Sequence, residues 1–158
     1  MTSLNKIIQR FWTLLHVDFD AKELLIIEQN YSKRVIKSDS NHLKATIEWL
    51  CRAQDSNSDR GISRSYKVAK YRGYGPSGWQ SSYPETTGYI IPTMIEAADY
   101  LCNSTLKMRA RDMADWEIDI QMGSGAVMGS VVTAKPTPAV FNTGQVIFGW
   151  LAAYREYG

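Results

Sequence analysis

The chain has 158 residues, 44% of them apolar, and a formal charge of +2. These values fit one globular domain and leave too little charge to point to nucleic acid or a membrane surface. His16 and His42 form no cluster with Cys51 and Cys102, so no metal site or cofactor is implied.

Both cysteines sit inside apolar helical patterns and are expected to be buried free thiols. No run reaches the ~18 apolar residues of a spanning helix. Residues 11–17 are apolar but short, and Asp18 and Asp20 follow at once, unlike a signal peptide. The expected location is the cytoplasm.

Residues 3–15 place Leu4, Ile7, Ile8, Phe11, Trp12 and Leu15 at spacings of three and four, the pattern of an amphipathic helix. Residues 20–36 read two ways, as a helix capped by Asp20 or as an extended run after Tyr31. The Ser-Asp-Ser-Asn stretch at 38–41 breaks the chain and offers N-caps. Residues 1–40 therefore read as an N-terminal helical extension.

A helix is expected over 41–54, with Leu43, Ile47, Leu50, Cys51 and Gln54 on one face. The connection that follows, to about Glu85, is long and rich in Ser, Gly, Arg, Lys and Tyr, and loops of that length tend to be functional. The next helix starts at Thr86 or Thr87 and runs to about Cys102, with Pro92 tolerated near its first turn. Asn103-Ser104 breaks it, and Thr105 caps a helix running to Gln121. A second connection, 122–141, leads to a last helix from about Asn142 to Tyr157.

Two of these units repeat. Thr87-Gly88-Tyr89-Ile90-Ile91 returns as Thr143-Gly144-Gln145-Val146-Ile147, and Trp49-x4-Gln54 returns as Trp116-x4-Gln121. Ile95 and Ala97 fall opposite Leu151 and Ala153. Constant helical register beside loops of different length is the mark of a repeat whose variable parts share one rim. Trp49, Trp116, Gln54 and Gln121, as recurring positions, read as structural: the Trp packing between helices, the Gln bonding loop backbone.

The string Tyr83-Pro84-Glu85-Thr86-Thr87-Gly88-Tyr89-Ile90-Ile91-Pro92, with Trp116-x4-Gln121 and residues 138–145, resembles the α/α-toroid proteins encoded with bacterial polysaccharide biosynthesis. These are similar to the six-hairpin glycosidase superfamily of glycosidases, polysaccharide lyases and uronate epimerases. The resemblance covers residues 41–158. It implies an all-α fold, helical-hairpin repeats of an incomplete (α/α) toroid with long rim loops, the hairpins lying at about 41–104 and 105–158.

A closed toroid needs on the order of 300 residues at this repeat length. The chain is therefore expected to be the N-terminal part of one. Self-association, or association with the missing C-terminal part, would bury its open end. The implied function is acting on, or binding, a bacterial polysaccharide or oligosaccharide. The alternative is a non-catalytic helical-repeat binding module or inactive remnant. A terpenoid-cyclase-like toroid is disfavoured, because no Asp-rich ionising motif is present.

Glu85 is the candidate catalytic residue. A carboxylate at a helix start is held ionised by the helix dipole and nearby amides, which suits a general base or a sugar-hydroxyl acceptor. It also fits a carboxylate that only stabilises the helix. Its counterpart in the second unit is Phe141. Arg60, Tyr74, Trp79 and Tyr83 are candidate substrate contacts, aromatic planes for sugar faces and a cation for acidic groups, or else anchors of a solvated loop. Asn142 is a further rim contact or an N-cap. Asp55 or Asp59 could supply a second carboxylate. The same loop composition suits single-stranded nucleic acid, which the near-neutral charge does not favour. Gly123, Gly125 and Gly129 lack the Gly-Lys-Ser/Thr of a phosphate loop. Asp112, Asp115 and Asp119 read as a solvated helix face, not as metal ligands.

Overall fold

The computed structural model describes residues 26, 29, 37–68, 76–133 and 135–158. The helix expected over residues 3–15, most of the ambiguous stretch 20–36 and the candidate contact Tyr74 lie outside the described residues. The chain divides into two compact units, residues 1–38 with 66–78 and residues 39–65 with 79–158. The second unit carries four helices, α1 (Asp39–Asp55), α2 (Pro84–Leu101), α3 (Ser104–Asp119) and α4 (Val140–Tyr157). Two two-residue strands, β1 (Tyr66–Lys67) and β2 (Gly78–Trp79), stand between α1 and α2. The expected all-α character holds for this unit. Among the described residues no helix is long and apolar enough to cross a membrane.

The helix starts differ from expectation. α2 begins at Pro84, and α4 at Val140. Proline at the first helical position needs no amide partner and arrives with helical φ. Neither helix has a side-chain N-cap; the cap residues Tyr83 and Ala139 are extended. Asn142 is therefore no cap. It lies inside the first turn of α4, buried.

The earlier start also puts Pro92 well inside α2. The Gly88 carbonyl, to which residue 92 would ordinarily donate, is pressed against α4: a Cβ on Gly149 would lie 2.4 Å from it. A Cβ on Gly88 would in turn lie 2.7 Å from the Val146 Cα. Two glycines thus let α2 and α4 approach backbone to backbone, in parallel.

α2 ends at Cys102, which takes a left-handed conformation (φ 51°) while its N–H reaches the carbonyls of Ala98 and Asp99. Asn103, rather than Thr105, caps α3: its side chain accepts from the Thr105 N–H at 3.1 Å. Neither thiol is fully buried, contrary to expectation. Cys51 is half-buried, and Cys102, at the solvent-facing turn, is exposed. Lys107 in the first turn of α3 pairs with Asp99 of α2 and Glu156 of α4, while Tyr157 donates to the Lys107 carbonyl at 2.6 Å. The core between the helices is built from Ile91, Met94, Leu106, Ala110 and Met113.

The repeat extends to hydrogen bonds in the loops. In the first repeat Gln54 Nε2 donates to the carbonyl of Arg60 (3.0 Å), a left-handed residue (φ 76°). The Ile62 N–H donates to Thr87 Oγ1 (3.0 Å), and that hydroxyl donates to the Tyr83 carbonyl (2.9 Å). The Tyr83 N–H returns to Ile62. In the second, Gln121 Nε2 donates to the carbonyl of left-handed Gly125 (2.9 Å). The Val127 N–H donates to Thr143 Oγ1 (2.9 Å), which donates to Ala139 (2.8 Å), and the Ala139 N–H returns to Val127. The recurring Gln and Thr side chains therefore satisfy loop backbone, and the threonines do so for Ile62 and Val127, which are buried and whose amides need a partner.

Candidate functional site

The two loops meet at the N-terminal ends of α2 and α4. The Tyr83 hydroxyl donates to the Gly129 carbonyl at 3.1 Å, joining the first loop to the second. Asn142 Nδ2 donates to the Met128 carbonyl at 3.2 Å, holding the second loop on its own helix. Both are accounted for by contacts within the fold.

Asp59 organises the first loop. Its Oδ1 accepts the Gly61 N–H (3.1 Å) and the Ser82 hydroxyl (2.7 Å); Oδ2 makes no hydrogen bond within the described chain. Ser63 and Asn57 both donate to the Gln80 carbonyl, at 2.6 and 3.2 Å. Beside these groups opens a cavity of about 240 Å³ lined by Asn57, Ser58, Asp59, Ser81, Ser82 and Val132. Its wall is hydroxyl, amide and carboxylate, with no cationic side chain. That chemistry suits a polyhydroxylated, uncharged group and disfavours a phosphate or another anion.

Glu85 lies in the first turn of α2, half-buried. Its carboxylate has no hydrogen-bond or ion-pair partner among the described residues, so it does not close a capping box on Tyr83. Arg60 is engaged elsewhere, its guanidinium donating to Asp119 at the end of α3. Asp55 is held by both terminal nitrogens of Arg109 (2.7 and 3.1 Å). Trp79 is half-buried and lies 4.6 Å, centroid to centroid, from Trp49 at a 51° tilt. Trp49 was expected between helices but is 44% exposed, whereas its counterpart Trp116 is buried. Trp116 packs against Gly61, where a Cβ would meet its ring at 2.9 Å. Asp59 and the serines thus surround a cavity, while Arg60 turns to α3 and Trp79 to α1.

One ionisable residue escaped the reading of the sequence. Glu117 has no exposed surface, and both carboxyl oxygens lack any hydrogen-bond partner. It continues, at helical spacing, the core stripe of Leu106, Ala110 and Met113. Burial pushes its carboxyl up to about 9, so it is protonated at neutral pH. The signal was present as an acid in register with an apolar stripe, whereas Asp112 and Asp119 on the same helix are exposed and Asp115 is half-buried. Among the described residues, no group of His, Cys, Asp and Glu could hold a metal ion.

Comparison with protein-family models, with curated proteins and with solved structures returns no match to this chain.

Proposed function

We propose that the joined loops at the starts of α2 and α4 bind a short, uncharged segment of a bacterial polysaccharide, as the rim of an α/α-toroid-like repeat. The cavity beside Asp59 carries the reading. Its volume, about 240 Å³, is below that of drug-sized ligand sites and matches a single sugar ring, and its lining is dense in hydrogen-bonding groups. Asp59 Oδ2 is the acceptor available to a sugar hydroxyl, and a charge-assisted bond there is among the stronger neutral-ligand contacts. The resemblance of residues 83–92 and 138–145 to toroid proteins of polysaccharide biosynthesis supports the same substrate class.

Binding is favoured over turnover as the primary role. Glu85 is the one unpartnered carboxylate in the first turns of α2 and α4, and Phe141 stands in its place on α4. The paired carboxylates of glycoside hydrolysis are not presented by these two helix starts. If chemistry occurs, Glu85 is the acid/base.

Titration calorimetry against neutral and acidic bacterial oligosaccharides tests the reading. Neutral oligosaccharides should bind, and Asp59→Asn should weaken them about tenfold or more. Glu85→Gln should keep binding and lose any turnover. Binding of acidic glycans alone, or full affinity in Asp59→Asn, refutes it.

A further inference from the structure

α4 is apolar on two opposite sides. One side, with Val146, Gly149 and Ala153, is buried. The other carries Val140 (93% exposed), Phe141 (63%), Ile147 (45%), Phe148 (62%), Leu151 (46%) and Tyr154 (72%). A helix with an apolar stripe on each of two opposite sides has two faces to bury. The counterparts on α2 of Val140, Gly144, Ile147, Leu151 and Tyr154 are Pro84, Gly88, Ile91, Ile95 and Ala98, and all five are buried.

The glycines make the comparison sharp. On Gly88 a Cβ would strike the Val146 Cα at 2.7 Å; on Gly144, its counterpart, a Cβ would meet nothing within 4 Å. α1 and α3 repeat the contrast. Gln54 of α1 also bonds α3, donating to the Arg109 carbonyl (3.2 Å) and accepting from the Arg109 guanidinium (3.0 Å). Gln121 keeps only its loop bond to Gly125. Beside it a groove of about 400 Å³ runs between α3 and α4, lined by Ile118, Gln121, Trp150, Tyr154 and Tyr157 among others.

We propose that this face of α4 is the seat of one further hairpin of the same repeat. Its inner helix lies on Gly144 as α4 lies on Gly88, and its outer helix fills the α3–α4 groove, within reach of Gln121. The partner chemistry is specified by the existing interface: an inner helix beginning Thr-Gly, with a small residue where α4 has Gly149. At 150–250 Å² for each aromatic side chain, the exposed parts of Phe141, Phe148 and Tyr154 alone offer roughly 400 Å², about half of the ~800 Å² per partner of a stable interface.

The test is an extended chain in which a second copy of residues 103–158 follows Gly158. It should melt at least about 4 °C above the natural chain. Gly144→Ala should leave the natural chain no less stable, alanine being the better helix former, but lower the extended chain by as much as Gly88→Ala lowers the natural one. An appended copy with its Gly149 counterpart changed to Leu should lose the gain. An extended chain that is misfolded, gains nothing, or tolerates Gly144→Ala overturns the proposal. So does sedimentation of the natural chain as a dimer that Phe148→Lys dissolves, since a second copy would then own the face.

Discussion

Glu117→Gln isolates the effect of one buried acid on the whole fold. The wild-type carboxyl stays protonated in the native chain up to about pH 9, whereas its ordinary value is 4.5. Between those limits the native state holds a proton that the unfolded state has released. The slope of unfolding free energy with pH follows protons bound unfolded minus protons bound native, so here it is negative. Stability is greatest below pH 4.5 as far as this group is concerned, and is lost as pH rises toward 9. At about 1.4 kcal/mol per unit, the loss by pH 7.5 is on the order of 4 kcal/mol, a large part of the ~5–15 kcal/mol of a typical domain. Glutamine keeps the shape and an unpartnered polar end but cannot ionise. Urea unfolding at pH 5, 6, 7 and 8 should show the variant level with wild type at the acid end and increasingly more stable toward pH 8. Every other titrating group is common to both proteins and cancels in the difference. Parallel curves would refute the reasoning, and would mean that the carboxyl is hydrated or paired in solution.

Thr87→Val should destabilise by about 1–3 kcal/mol in the same assay, because it strands the buried Ile62 N–H. Thr143→Val should cost less, since Thr143 is only half-buried and water can replace its hydroxyl. Cys102→Gly should raise the melting temperature, gaining up to about 1 kcal/mol: a left-handed non-glycine residue costs ~1–2 kcal/mol, part of which glycine returns as chain entropy. Cys102 is exposed, so no packing is lost, and a lower melting temperature would contradict this account.

Much of the second unit was legible along the chain. Apolar spacing located the four helices, and the recurrence of Trp-x4-Gln and Thr-Gly matched α1 with α3 and α2 with α4. The role of Gln54 and Gln121 as bonds to loop backbone could be read as well. These features are local, set by residues within a few turns of one another and by period alone. The helix starts were less legible, because Asn142 has the composition of a cap while the first turn is set by Pro84 and by threonine hydroxyls bonding back across it.

Tertiary structure alone decided the rest. Gly88 and Gly144 are the same residue in the same motif, yet one is pinned by a backbone and the other open, because only α2 has a neighbour on that side. Glu117 and Asp119 are two residues apart on one helix. One is buried without a partner and the other pairs with Arg60 across the loop. The cavity at Asp59 joins residues from two separate stretches of the first loop with Val132 from the second. Burial, ionisation and close approach depend on atoms brought from remote segments, and periodicity along the chain carries no record of which segments those are.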